Sequence, residues 1–256
     1  MTSTPPTTYV LETGCGEPLR LNFLWTKDTV TALDLLPAFF SVADAIHTQS
    51  RRDLAEMGKT IGCGPGCSTC CHQLVPVSEY EALHLAKIVR SMPAPQQDRI
   101  TRRFMQAITA LEESALLIPL TDTYANHAHD KHRAAEIRKR YWDLKIPCPF
   151  LEDNCCSIHA HRPMACRQYL VTSDPARCSK IYSSEQSHEI VLHSFDTGGA
   201  LASFSGEGIQ NSRILPHILS LLAERSIRRQ KYPSLSPQQM MSRFLMILAT
   251  CFARKA

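Results

Sequence analysis

The chain has 256 residues, of which 44% are hydrophobic and 20% charged, a composition typical of a globular protein. No uncharged apolar run approaches the ~18–20 residues that span a membrane. The net charge of +4 is too small to indicate nucleic-acid binding without a clustered basic surface. We therefore expect a protein that contacts neither membrane nor nucleic acid.

Apolar periodicity predicts a mostly α-helical fold. Residues 1–31 show little predicted structure, whereas an apolar stripe over 32–60 predicts a helix with Pro37 in its first turn. Ser78 and Glu81 form a capping box for a helix that runs to about Arg90. Further helices are predicted over about 96–118, 128–144, 213–228 and 237–254, and one small β-hairpin over 189–204 around Gly198-Gly199.

The predicted organisation places irregular cysteine-rich loops, held together by a metal centre, among these helices. We expect residues 32–256 to form one globular domain. Its parts are an N-terminal helix over 32–62, a cysteine-cluster core over 63–182 and a C-terminal region over 183–256 that ends in a helix pair; residues 1–31 precede it.

The cysteines are the most informative residues. There are eleven, and nine of them fall between Cys63 and Cys178. A disulfide framework fits poorly, because the count is odd, the N-terminus lacks the pattern of a secretory signal, and the chain is long enough to fold without cross-links. We expect a cytoplasmic protein, where clustered thiols usually indicate metal or redox chemistry.

The cysteine spacing indicates a metal site built from two groups. Cys63-x3-Cys67-x2-Cys70 lies in a Gly-Pro-Gly loop that can fold around an ion. The side chains of the adjacent pairs Cys70-Cys71 and Cys155-Cys156 should diverge, so that each pair does not serve a single ion. We expect one composite site or two adjoining sites that join the groups, rather than two independent sites.

At these residues the chain resembles the YkgJ-like cysteine-cluster family, a zinc- or iron-chelating domain with a CxxCxxCC-type signature. The resemblance covers residues 60–180 and rests on the first cysteine loop with Leu74 to Ser78, on Cys148-Pro149-Phe150-Leu151, and on Arg162-Pro163 with Cys166-Arg167. It implies eight metal ligands, which are Cys63, Cys67, Cys70, Cys71, Cys148, Cys156, Cys166 and Cys178. Cys155 and His159 depart from the family pattern.

The resemblance implies a metal-binding protein whose cofactor is an iron–sulfur cluster or zinc or iron ions. One hypothesis is a redox-active iron–sulfur protein, a possible oxidoreductase, with an electron-transfer partner. The alternatives are a structural zinc module that binds another protein, and a protein-modifying enzyme, since a similar cluster occurs in a flagellin lysine methylase. Radical S-adenosylmethionine chemistry fits poorly, because helices rather than strands are predicted around the first loop.

Other residues near the cysteines have weaker predicted roles. Arg162 and Arg167 flank Cys166 and are expected to offset the negative charge of a thiolate site. His72, His159 and His161 are alternative ligands, although loop histidines more often face solvent. Cys251 lies on an apolar helix stripe and is predicted to be in the core, and Cys15 has no predicted role.

Overall fold

The structure, a computed structural model, describes residues 5–13, 17–127, 130–183, 188–204 and 214–254. No helix within these ranges is both long enough and apolar enough to cross a membrane. The prediction of a mostly helical fold with irregular cysteine-rich loops is confirmed. In chain order, the strands and α-helices are β1 (Thr7–Leu11), β2 (Leu19–Phe23), α1 (Leu36–Glu56), β3 (Pro76–Ser78), α2 (Glu79–Ser91), α3 (Ala94–Glu113), α4 (Leu117–Asn126), α5 (Lys131–Asp143), β4 (Leu151–Glu152), β5 (Cys155–Cys156), α6 (Met164–Gln168), α7 (Thr197–Ser203), β6 (Ile214–Pro216), α8 (Ser220–Ile227) and α9 (Pro237–Cys251).

Short 3-10 helices supplement these elements. They cover Thr69–His72, His159–His161, Pro175–Lys180 and His217–Leu219. The strands pair antiparallel as β1 with β2, β3 with β6, and β4 with β5. Ser78 and Ser236 start α2 and α9 with capping boxes, each closed by an acceptor side chain three residues later.

The buried side chains form two hydrophobic cores. The first combines α1, α7 and α9 with the β1–β2 hairpin and includes Met164 of α6. The second combines α2, α3, α4 and α5, and Cys148 and Cys156 pack against it. The second cysteine group therefore contacts the second core, whereas α6, which carries Cys166, reaches the first core through Met164.

The N-terminal segment forms more structure than its sequence pattern predicts. Strands β1 and β2 pair over their full length, from Thr7 opposite Phe23 to Leu11 opposite Leu19. The ring of Phe23 stacks on Trp25 with a centroid separation of 5.1 Å and meets Tyr9 edge-on at 6.1 Å. Each strand has only five residues, so its alternation of buried and exposed side chains is a weak signal in the sequence. The two strands become recognisable only as a pair.

The predicted hairpin over 189–204 is wrong, because the Gly198-Gly199 pair lies inside α7. The Asp196 carboxylate caps this helix by accepting a hydrogen bond of 2.9 Å from the Gly199 backbone N–H. A Cβ on Gly199 would lie 2.7 Å from the Phe252 ring. Here glycine permits a close contact between helix and ring, rather than a turn.

The predicted helix over 96–118 is divided in the structure. Helix α3 ends at Glu113, and Ala115 adopts a left-handed conformation with φ of 51°. The Leu116 N–H donates to the Leu111 carbonyl at 2.8 Å, which is the bond that closes a Schellman C-terminus. The left-handed residue of this motif is usually glycine. Because position 115 is alanine, the sequence carries no signal for the end of α3. The predicted helix over 213–228 likewise begins later, at Ser220, after β6 and a 3-10 turn.

Candidate metal centre

The first cysteine loop is shaped by two glycines. Gly66 turns the chain with φ of 83°, a left-handed conformation that favours glycine. Gly62 donates its N–H to the Val171 carbonyl at 2.9 Å, and a Cβ added to it would lie 2.5 Å from the Ser173 carbonyl oxygen. The close backbone contact at Gly62 brings the loop against the segment that leads to Cys178.

The second cysteine group contains a tight hairpin. Asp153 and Asn154 form its turn with φ values of 48° and 59°, which indicates the type I′ geometry favoured between short antiparallel strands. Neighbouring residues on β5 point to opposite faces. Cys155 is exposed, whereas Cys156 is half-buried and packs against the second core.

Two hydrogen bonds join the first loop to the second group. The Cys148 N–H donates to the Cys71 carbonyl at 2.7 Å. The Ser68 hydroxyl donates to the Asn154 side-chain oxygen at 3.0 Å, across 86 positions of sequence. The loops are therefore in direct contact, as the spacing argument predicted.

Four thiols from both groups, here called the inner set, affect one another electrostatically: Cys70, Cys148, Cys156 and Cys166. Burial raises the pKa of Cys148 far above its usual value, and the neighbouring thiols of Cys166, Cys156 and Cys70 raise it further. The pKa of Cys166 is raised by burial and then by Cys70 and Cys156. For Cys70, a hydrogen bond with the Cys71 side chain is the largest cause of its raised pKa, followed by burial.

Three further thiols form an outer set: Cys63, Cys67 and Cys178. Cys178 is 3% exposed, and burial followed by the charges of Cys63, Cys67 and Cys70 raises its pKa to about 11. Burial, Cys63 and Cys70 raise the pKa of Cys67. Cys178 therefore lies with the first loop, although it is the last of the clustered cysteines in sequence, and Cys70 lies where the two sets adjoin.

The remaining cysteines lie apart from these sets or outside the described residues. Cys155 is exposed beside Cys156. Cys251, predicted to be in the core, is exposed instead; it is the last residue of α9, 3.3 Å from the Thr250 hydroxyl. Cys15 falls outside the described residues. All ten cysteines of the described ranges are free thiols.

The side chains are not in a metal-bound arrangement. Within the described ranges, no three Cys, His, Asp or Glu side chains are close enough together to hold an ion. The raised pKa values of Cys148, Cys166 and Cys178 favour the protonated thiols in the ion-free form. Metal binding requires their deprotonation, and the donor set itself, sulfur from several short loops, suits zinc or iron.

A family model matches residues 62–189, half of the chain, and carries the description "CxxCxxCC: Putative zinc- or iron-chelating domain". The chain belongs to this CxxCxxCC family. No curated protein and no solved structure matches the chain significantly. The family description supports metal binding by zinc or iron and names no reaction.

Three residues separate Cys63 from Cys67 in this CxxCxxCC protein, one more than the family's name indicates. The matched range begins at Gly62 and contains every cysteine of both sets. The N-terminal hairpin, α1, α8 and α9 lie outside it.

The two arginines that flank Cys166 have different roles, which corrects their joint assignment to the thiolates. The Arg167 side chain binds Asp44 rather than the thiols. It is 5% exposed, donates to both carboxylate oxygens of Asp44 at 2.7 and 2.8 Å, and lies over the Phe40 ring. It also donates to the carbonyls of Ala160 and Arg162. Arg167 thus connects α6 to α1.

Arg162 is the cation that acts on the inner set. Its charge opposes the rise in the pKa of Cys70, Cys156 and Cys166. Its Nε is buried and has no hydrogen-bond partner among the described residues. Arg162 is therefore available to compensate negative charge on the thiolates.

Glu81, which sequence reasoning recognised only as a cap for α2, also holds the helix that carries Cys166. One carboxylate oxygen accepts from the Ser78 N–H and hydroxyl at 2.8 Å. The other accepts from the Met164 N–H, the first of α6, at 2.7 Å. No sequence signal links positions 81 and 164, because the contact depends on tertiary packing.

The candidate histidine ligands remain at the periphery. His159 and His161 are exposed, and the His161 ring meets His84 edge-on at a centroid separation of 5.4 Å. His72 is half-buried at the end of the 3-10 helix that carries Cys70 and Cys71.

Proposed function

We propose that this protein binds zinc or iron through its eight clustered cysteines, in two adjoining four-thiolate sites that join the two cysteine groups. The inner set supplies one site. The outer set supplies three thiolates of the second site, and Cys71 supplies the fourth. Cys70 and Cys71 are adjacent in sequence, and their side chains are hydrogen-bonded to each other rather than divergent as the sequence predicted, so the two sites would adjoin at this pair.

The contact between the two cysteine groups carries this proposal: the Cys148 N–H donates to the Cys71 carbonyl at 2.7 Å. Cys70, Cys148, Cys156 and Cys166 come from four separate local segments, yet Cys70, Cys156 and Cys166 each raise the pKa of Cys148, and Cys70 also raises that of Cys156 and Cys166. Assembling four half-buried thiols without disulfides gives little stability by itself. An ion bound by their thiolates would supply that stability, because structural zinc contributes on the order of 10 kcal/mol to folding.

The surrounding residues support such a site. Glu81 fixes the start of α6 and hence the position of Cys166. Gly62 allows the segment before Cys178 to approach the first loop. Arg162 offsets part of the charge, which is about −2 for four thiolates and one divalent ion.

A redox-active iron–sulfur centre is the second candidate, and the position of Cys70 between the two sets favours it. Cys70 raises the pKa of Cys67 and Cys178 as well as those of the inner set, as expected if both sets contribute to one composite cluster. When bound, such a cluster would supply electron transfer. The clustered cysteines would then hold the cluster, and the second core, against which Cys148 and Cys156 pack, would exclude water from that side of it.

Cysteine variants distinguish the arrangements. Under the two-site proposal, Cys166→Ser and Cys67→Ser each remove about half of the bound metal, and the double variant removes nearly all of it. Cys155→Ser and Cys251→Ser serve as matched controls and retain the full content, which is measured by elemental mass spectrometry on protein purified without oxygen. Complete loss in either single variant indicates one composite cluster, and equal metal content in all variants refutes the ligand assignment.

A further inference from the structure

Helices α2 and α8 pack side by side and present a cluster of exposed cationic side chains, here called the basic face. This face lies outside the clustered cysteines and has no part in the proposed metal sites. Its five cations are Lys87 and Arg90 on α2, Arg225 on α8, and Arg228 and Arg229 in the turn that follows α8.

The basic face carries an excess of positive charge. Its five cations face one carboxylate between the two helices, Glu224, which pairs with two of them. Concentrating like charge destabilises a fold through self-repulsion, so such a face is typical of a surface that meets an anionic partner.

Glu224 pre-orients two of the arginines. Its carboxylate pairs with Arg90 of α2 and, at 2.8 Å, with the Nε of Arg228. Arg225 and Arg229 are exposed, and neither forms an ion pair with any described residue. Guanidinium groups bind carboxylates through two parallel hydrogen bonds, which makes these free arginines suited to Asp and Glu side chains.

An exposed apolar side chain lies beside the free arginines. Leu222 is 55% exposed. It lies on the outward stripe of α8 with Arg225, three residues later, and Arg229 lies in the turn that follows the helix. An apolar residue bordered by arginines is typical of protein–protein interfaces.

We propose that the basic face docks an acidic protein surface, in which carboxylates surround an exposed apolar side chain. Leu222 would pack against that apolar group, and Arg225 and Arg229 would bind the carboxylates. The stripe has no exposed aromatic side chain for stacking on bases, so an acidic protein fits it better than single-stranded nucleic acid.

The test uses the 256-residue chain as purified and defined probes. Fluorescence anisotropy measures its affinity for a labelled peptide of repeated Glu-Glu-Leu-Glu units and for the same peptide with Ser in place of Leu. A DNA duplex of equal charge and phosphatidylglycerol vesicles represent the other anionic partners. The Leu peptide should bind most tightly, with an affinity that falls as salt increases.

Variants locate the binding. The double variant Arg225→Glu/Arg229→Glu should weaken binding of the Leu peptide roughly tenfold or more. The matched double variant Arg102→Glu/Arg140→Glu changes two exposed arginines of α3 and α5 by the same charge and should have less than about a twofold effect. Leu222→Ser should abolish the preference for the Leu peptide over the Ser peptide.

Three results would overturn the proposal. One is equal weakening in both double variants, which would mean that net charge alone governs binding. Another is tighter binding of DNA or vesicles than of the Leu peptide, which would assign the face to phosphates. The third is the absence of binding to the Leu peptide. None of these outcomes depends on the metal sites.

Discussion

Replacing Asp44 with Ala should destabilise the protein measurably, although Asp44 lies on the surface. The substitution leaves the Arg167 guanidinium, 5% exposed, with only two backbone carbonyls as partners. Removing one partner of a fully buried ion pair costs about 3–5 kcal/mol. The Asp44 side chain is 54% exposed, so water screens the pair and we reduce the expected loss to about 2 kcal/mol.

The assay is urea unfolding of wild type and variant at equal metal content, because bound metal adds its own stabilisation. Asp143→Ala is the control: it removes the exposed ion pair with Lys139, 3.1 Å long, and should cost only about 0.3–0.5 kcal/mol. In an Arg167→Met background, Asp44→Ala should lose most of its effect, since no buried charge remains. A loss no larger than that of the control, or an unchanged loss in the Arg167→Met background, would refute the role assigned to this pair.

Two other predictions concern a close backbone contact and acid stability. Gly62→Ala should lower the free energy of unfolding by about 1–3 kcal/mol and reduce the metal content, because the new Cβ would lie 2.5 Å from the Ser173 carbonyl oxygen. Gly64→Ala is the control, since a Cβ there meets nothing within 4 Å, and it should change neither urea unfolding nor metal content appreciably. Burial lowers the pKa of His47 to about 3 and that of His217 to about 4, so the unfolded chain binds more protons below pH 6.5. The free energy of unfolding should therefore fall as the pH decreases from about 6.5, by about 2 kcal/mol per histidine at pH 5. The fall should be shallower in His217→Phe. A urea midpoint that does not change with pH, or the same pH dependence in the variant as in the wild type, would contradict this.

Local signals in the sequence located the main helices. The capping boxes at Ser78 and Ser236 are confirmed, as is Pro37 in the first turn of α1. These signals depend on residues within one turn of each other, so they survive without tertiary information. The same reasoning failed at Gly198-Gly199, where a contact with Phe252 decides the role of the glycines.

The candidate site was only partly accessible from sequence. The spacing identified both cysteine groups and predicted their contact, which the Cys148–Cys71 hydrogen bond provides. It did not indicate that Cys178 would lie with the first loop, because this placement follows from the close approach at Gly62. The assignment of Arg167 to Asp44 likewise depends on how α1 packs against α6.

The central claim is that the clustered thiols bind metal, and the most direct test is the content of zinc, iron and acid-labile sulfide in protein purified without oxygen. We expect about two zinc or iron ions per chain, with loss of about half the metal in Cys166→Ser and no loss in Cys251→Ser. Sulfide in proportion to iron, with a broad visible absorption band, would assign the centre as iron–sulfur. Protein that contains neither metal, and takes up neither when reduced and incubated with each ion, would contradict the account.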